Sequence, residues 1–108
     1  MPVLEKDGRF FSQHISILRM ICMENGFYPK DPLDAWKVES INEALNEMLT
    51  PFHAIVFNTA LSDSEKQDQV KKLLKDKFPK FLAKLDARLK ANPTSGRLVG
   101  ETWTMADI

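Results

Sequence analysis

Few side chains in this chain can do chemistry by themselves: one cysteine, one tyrosine and two histidines. A thiol attacks only as its thiolate, and a free cysteine of pKa about 8.5 needs a donor or a positive field to ionise at neutral pH. Cys22 sits instead among Ile15, Ile17, Leu18 and Ile21 at helical spacing, which reads as a small core residue rather than a nucleophile. A single cysteine cannot close an internal disulfide, so a reducing compartment is the simple expectation. Tyr28 lies in a segment holding Pro29 and Pro32, the composition of a connection and not of a catalytic element. His14 and His53 are far apart, and neither has a carboxylate or cysteine at ligand spacing, so a metal site is not expected. Whatever this protein does must therefore come from residues assembled by the fold.

The elements that would position such residues can be read from the pattern. Asp7-Gly8 between two short apolar runs signals a hairpin, because both turn residues tolerate positive φ. A helix carrying Cys22 follows, and Asn25-Gly26 stops it. From Asp34 to about Asn58 the apolar residues Trp36, Val38, Ile41, Leu45, Met48, Leu49, Phe52, Ile55 and Val56 repeat at helical spacing. Pro51 lies inside that helix and is expected to kink it. Ser62 and Glu65 open the next helix with a cap and acids near its positive end. Its apolar stripe runs from Val70 through Leu73, Leu74, Phe78, Phe81, Leu82 and Leu85 to Leu89, with lysines elsewhere. Those lysines read as a solvated face, since acids are interleaved among them. Thr104 and Asp107 have capping-box spacing, and Trp103 and Ile108 stand where a hydrophobic staple would close. A helix therefore begins at Thr104, and the sequence ends within its first turn.

Composition restricts the class of protein. Hydrophobic residues make up 44% and charged residues 28%, values of an ordinary globular protein. The formal net charge is zero, which gives no basis for general affinity to nucleic acid or to an acidic membrane surface. No apolar run approaches transmembrane length, and the start lacks the form of a secretory signal. A cytoplasmic protein is expected.

Four stretches together resemble the cytosolic glutathione transferases, especially the alpha, mu, pi and sigma classes. They are Met1 to Glu5 with Asp7-Gly8; Gln13 with Ile17-Leu18-Arg19; Phe78-Pro79-Lys80-Phe81-Leu82 with Leu85 and Leu89; and Leu98-Val99-Gly100 with Thr104 to Ile108. The resemblance covers essentially the whole chain and implies an α+β fragment, mostly α. Residues 1–25 would be the end of a thioredoxin-like glutathione-binding domain, a hairpin plus a helix. Residues 26–33 would be a linker, and 34–108 an all-α domain cut in its third helix. The family's first strand, helix, second strand and second helix have no counterpart, so a fragment of a longer protein is expected.

By the same resemblance, Met1 and Pro2 form a cis peptide whose backbone pairs with glutathione as an added strand would. Gln13 and the helix N-terminus behind it would hold the γ-glutamyl carboxylate; the bland alternative is that Gln13 only caps its helix. His14 departs from the serine usual there. It keeps the backbone amide and offers a ring donor, but it could also crowd the pocket. Glu43 matches an acidic position that reaches the γ-glutamyl amine across a dimer, and Arg19 matches an arginine near that seam. Phe57, and with it Phe52 and His53, would line the electrophile pocket, although aromatic residues at helical spacing are more often core. The thiolate-activating residue has no match here and is expected upstream of Met1, so the chain alone is expected to be inactive. What the resemblance implies for the intact protein is a homodimeric detoxification enzyme that joins glutathione to small hydrophobic electrophiles, with no metal. Its rivals are a sigma-type prostaglandin isomerase using glutathione, and a non-catalytic dimerisation or scaffold module.

Overall fold

The computed structural model describes residues 2–93 and 96–108. It begins with a two-stranded antiparallel hairpin, β1 (Val3–Lys6) and β2 (Arg9–Ser12). Asp7 and Gly8 take φ of 51° and 71°, the positive pair that a two-residue turn needs to follow strand twist. The register pairs Leu4 with Phe11 and Glu5 with Phe10. Leu4 and Phe11 are half-buried on one face, while Val3 and Phe10 stay exposed on the other.

Helix α1 (His14–Glu24) packs against β2. It ends as the sequence predicts. Phe27 N–H donates to the Cys22 carbonyl at 2.8 Å, and Gly26 sits between at φ 79°, the left-handed residue of a Schellman-type stop. Helix α2 (Pro32–Val56) begins two residues before the expected start. The reason is local: the Asp31 carboxylate accepts from the N–H groups of Leu33 and Asp34, both at 3.0 Å. Pro32 takes the first helical position, where its missing N–H costs nothing. The helix continues through Pro51 to Val56.

Helix α3 (Asp63–Ala91) opens at the predicted Ser62 cap, which proves to be a full capping box. The Glu65 carboxylate accepts from Ser62 N–H at 2.9 Å, and Ser62 Oγ accepts from Glu65 N–H. Its C-terminus is fastened to α2 by Arg88, which donates to Ser40 Oγ at 2.9 Å and to the Lys37 carbonyl at 3.4 Å. The lysine face is solvated, with Lys90 paired to Asp86 along the helix. The chain closes on a single 3₁₀ turn (Met105–Asp107).

The core is small and lies where three pieces meet. Cys22 of α1, Val38 and Ile41 of α2, and Val99 and Met105 of the terminal segment are buried together, with Leu18, Tyr28 and Leu85 packed on them. A backbone hydrogen bond from Met105 N–H to the Phe27 carbonyl, 2.8 Å, pins the terminal segment to the α1–α2 connection. Much of the predicted apolar faces lies outside this core. Trp36 is 62% exposed, and α3 has no fully buried residue, its Leu82 being 46% exposed. The α3 stripe meets chiefly α2, so Leu73, Phe81 and Leu85 are half-covered while their neighbours are bare.

Candidate functional site

The N-terminus of α1 faces the middle of α2, and the two enclose a depression of about 410 Å³. Gln13, His14 and Arg19 border it from one side; Asn42, Glu43 and Asn46 border it from the other. Gln13 and His14, neighbours in sequence, and Glu43, expected to act across a dimer, thus border one depression within a single chain.

Gln13 is the N-cap of α1 and makes no side-chain capping hydrogen bond. Its backbone takes φ 72° and ψ 103°, a conformation that a side chain bearing a Cβ holds at a cost of about 1–3 kcal/mol. The Gln13 carbonyl accepts from Ile17 N–H at 3.0 Å, so the backbone still opens the helix. His14, Ile15 and Ser16, whose N–H groups open α1 at the positive end of its dipole, also line the depression. Glu43 is exposed on the opposite wall. The depression thus offers donors on one wall and a carboxylate on the other, the pattern that suits the ammonium and carboxylate of an amino-acid end.

Arg19 borders the same depression but is already engaged. Its Nε and NH2 donate to the two Glu39 oxygens at 2.6 and 2.7 Å, and the Tyr28 hydroxyl donates to Glu39 Oε1 at 2.7 Å. The Arg19 hydrogen bond holds the Glu39 carboxyl below its ordinary value, and Glu39 in turn raises Arg19. Burial, followed by the Glu39 carboxylate, pushes the Tyr28 hydroxyl up. Tyr28 is therefore a clasp between the connection and α2, not a proton donor waiting for a substrate. Glu39 was missed in the sequence. Its partners stand 20 and 11 residues away, and no local spacing rule joins them. Cys22 is 1% exposed, and burial raises its thiol, which fits a core residue.

Phe52, His53 and Phe57 form a separate cluster at the C-terminal end of α2. The His53 ring lies 5.9 Å from each of the two phenyl rings. Phe52 also lines an apolar cleft of about 140 Å³ with Met48, Leu49, Leu73, Leu74 and Phe78, whereas Phe57 is 75% exposed. Nine residues of helix separate Phe52 from Glu43, about 13–14 Å of rise, and none of the three aromatics borders the polar depression. Met1, and with it the peptide bond preceding Pro2, lies outside the described residues; Pro2 itself is exposed ahead of β1.

Thr104 and Asp107 form their capping box. Asp107 Oδ2 accepts from Thr104 N–H at 2.9 Å and its Oδ1 from Leu98 N–H at 2.9 Å, while Thr104 Oγ1 accepts from Ala106 N–H. The staple expected of Trp103 and Ile108 is replaced by another contact: the Arg97 guanidinium covers the Trp103 ring at 3.6 Å from its centroid, and Ile108 is exposed. A cation over an aromatic face competes well with an aliphatic contact at a chain's edge. A larger hollow of about 550 Å³ lies beside α2 and the terminal segment, but none of the residues expected at the site borders it. Lys37 pairs with Asp34 at 2.8 Å, and Arg88 is bound to α2. Size does not decide the site. Among the described residues no group of three or more histidines, cysteines or carboxylates could hold a metal ion. No helix there is long and apolar enough to cross a membrane.

Residues 46–108 match the family model described as the glutathione S-transferase C-terminal domain. The chain belongs to the glutathione S-transferase family. Over its whole length it is 28% identical to glutathione S-transferase 2 of Caenorhabditis elegans and 27% identical to S-crystallin SL11 of Nototodarus sloanii. It spans 58% and 52% of those two proteins, about half the length of the curated relatives it matches. Two solved structures are similar over 98% of the chain and 52% of their own: NaGST-2, with TM-score 0.81 and 26% identity, and the monomeric Na-GST-3 of the hookworm Necator americanus, with TM-score 0.75 and 30% identity. The expected fold stands: the hairpin and α1 of a thioredoxin-like part lead into an all-α part. The family model covers Phe52, His53, Phe57, Thr104 and Asp107 but stops short of Pro2, Gln13, His14 and Glu43.

Proposed function

We propose that the intact protein is a cytoplasmic glutathione transferase that joins glutathione to small hydrophobic electrophiles as a step in detoxification. The observation that carries this reading is the meeting of Gln13, His14 and Glu43 around one depression at the start of α1, in a chain of this family. Gln13 and the α1 amides would receive the γ-glutamyl carboxylate, and Glu43 its ammonium, across the seam in a dimer and within the chain in a monomer. Met1 and Pro2 would pair with the cysteinyl backbone. In the reaction the glutathione thiolate attacks the electrophilic carbon, an S–C bond forms, and the leaving group departs with its electron pair. Cys22 is buried and Tyr28 is engaged by Glu39, so the residue that stabilises the thiolate is assigned to sequence preceding Met1, and the 108 residues alone are assigned no activity. Phe52, His53 and Phe57 would form one wall of the electrophile pocket. The proposed division is 1–25 for the glutathione-binding end of the thioredoxin-like domain, 26–33 for the linker and 34–108 for the helical domain, with α2 reaching back to Pro32.

A homodimer with α1 and α2 at the seam is proposed as well. Glu43 borders the depression of its own chain, so this site does not need a partner to bring its walls together, and a relative described as monomeric exists. Sedimentation of the intact protein decides between the two states. The relative named as a crystallin favours one second reading, a protein that keeps the fold without turnover. Titration of the full-length protein with glutathione, followed by an assay with a chromogenic electrophile, separates them. Binding with turnover is expected; binding without turnover would leave the scaffold reading, and no binding would remove both the site and the enzyme.

A further inference from the structure

The hollow of about 550 Å³ beside α2 and the terminal segment shares no lining residue with the polar depression. Two cations border it, and they are held differently. Lys37 is neutralised by Asp34 at 2.8 Å. Arg88 is half-buried, and among the described residues no carboxylate stands within ion-pair distance of it. Both of its hydrogen bonds end on neutral oxygens, the Lys37 carbonyl and Ser40 Oγ. They fix the guanidinium on α2 and leave its charge unanswered. Its Nε takes part in neither bond and is not enclosed, so a donor of the guanidinium remains free. The same hollow has an apolar wall. Trp36, 62% exposed, borders it with Ala91 and Leu98. The indole takes no part in the core, so the packing gives no reason for a tryptophan there.

We infer that this hollow is a second ligand-binding site, one that takes a small aromatic carboxylate. The carboxylate pairs with the Arg88 guanidinium, whose planar array of donors matches the two carboxylate oxygens. The ring lies against the Trp36 indole and the wall of Ala91 and Leu98. A single unanswered positive charge suits a monoanion; a phosphate dianion would leave one of its charges unmatched. The volume falls in the range of small-molecule sites, about 300–1,000 Å³. The inference goes beyond the glutathione reading and does not depend on it, since the two hollows have separate walls.

The test uses the full-length protein, naphthaleneacetate as the probe, and its neutral relative naphthaleneacetamide. Calorimetry should show the acid binding about tenfold more tightly than the amide, the difference made by one hydrogen bond between charged groups. Arg88→Gln should weaken the acid by about the same factor and leave the amide unchanged. Arg88 also ties α3 to α2, so a second variant avoids that joint. Trp36→Ala, at an exposed position, should weaken both probes while keeping the melting temperature. Neither variant should alter glutathione binding. In the wild type, the Trp36 indole resonance should shift on adding the acid and stay in place on adding glutathione. A wild type that does not bind the acid, equal binding of the acid by wild type and both variants, or an unmoved Trp36 resonance would overturn the site. An equal loss of acid and amide in Arg88→Gln would overturn the role of Arg88. A wild type that binds the acid but no glutathione would remove the glutathione reading and leave this inference standing.

Discussion

The two halves of α2 live in different surroundings. From Pro32 to Glu43 the helix is held on several sides: Val38 and Ile41 are buried, Glu39 is clasped by Arg19 and Tyr28, and Ser40 and Lys37 are tied to Arg88. From Ala44 to Val56 no residue is buried, and the partner helix α3 has no buried residue anywhere. One half is a place where three segments converge; the other is a two-helix contact with an apolar cleft left open. The difference shows that helical periodicity reports which residues could be buried, and only convergence of segments decides which are. The polar depression belongs to the first half, where walls from separate elements are fixed relative to one another. The aromatic cluster of Phe52, His53 and Phe57 belongs to the second, where one wall stands without its opposite.

Truncation should separate the halves most sharply. Met105→Ala removes a side chain 2% exposed at the convergence point and should cost about 2–5 kcal/mol, the range for large apolar residues cut from cores. Leu82→Ala, on the half-bare stripe, should cost less than about 1 kcal/mol by area alone. Urea unfolding of the two variants gives the comparison directly. Equal losses would mean that α3 is covered as fully as the core, and the contrast between the halves would collapse.

Asp107→Ala comes next. The carboxylate accepts from Leu98 and Thr104 N–H groups, each at 2.9 Å, and both donors lose their partner together. About 1–3 kcal/mol is expected, while Asp107→Asn, which keeps one acceptor oxygen, should lose less. If the alanine variant unfolds at the same urea concentration as wild type, the terminal segment is not one of the three converging pieces.

How much of this was legible beforehand follows the same division. The Asp7-Gly8 turn, the stop at Gly26, and the Ser62 and Thr104 caps were readable because each depends on a few neighbouring residues. The start of α2 was misplaced by two residues because Asp31 acts through two hydrogen bonds that its own position in a proline-containing segment conceals. Gln13, His14 and Glu43 could be nominated only by family resemblance; nothing in their spacing says that α1 and α2 face each other there. Arg88 and Glu39 were invisible for a related reason. Both sit on an ordinary helical stretch, and what marks them, an unanswered charge and a shared carboxylate, exists only after the helices pack. Trp36 and the α3 stripe erred the other way, since apolar spacing was present and the covering surface was not.

Glu39 supplies a smaller effect with a defined sign. Its carboxyl is held below the ordinary glutamate value in the folded state, first by the Arg19 hydrogen bond. A lowered folded value means that the unfolded chain binds the proton more readily. The stabilisation is therefore present above the unfolded pKa of about 4.3 and is lost as pH falls through the folded value. Both partners are partly exposed, at 30% and 26%, so solvent screening limits the gain to about 1 kcal/mol. Glu39→Gln should lower stability by that amount at neutral pH and converge with wild type in acid below the folded value. Curves that stay parallel from neutral pH into that acid range would show that the clasp is not electrostatic.

The smallest expected change is at His14, and it bears on the polar wall of the first half. His14 is the first residue of α1 and borders the depression beside Gln13. Its backbone amide is one of the helix's first N–H groups, and that donor survives any side chain. A serine keeps it, adds a hydroxyl donor close to the backbone, and removes the bulk of the ring. His14→Ser in the intact protein should therefore leave glutathione affinity equal or raise it, as titration calorimetry would report. The alternative is that the ring itself donates to the ligand's carboxylate; then the serine variant would bind clearly more weakly. In that event the donor wall includes the histidine side chain, and the departure from the family's serine is a contact in its own right rather than an obstacle.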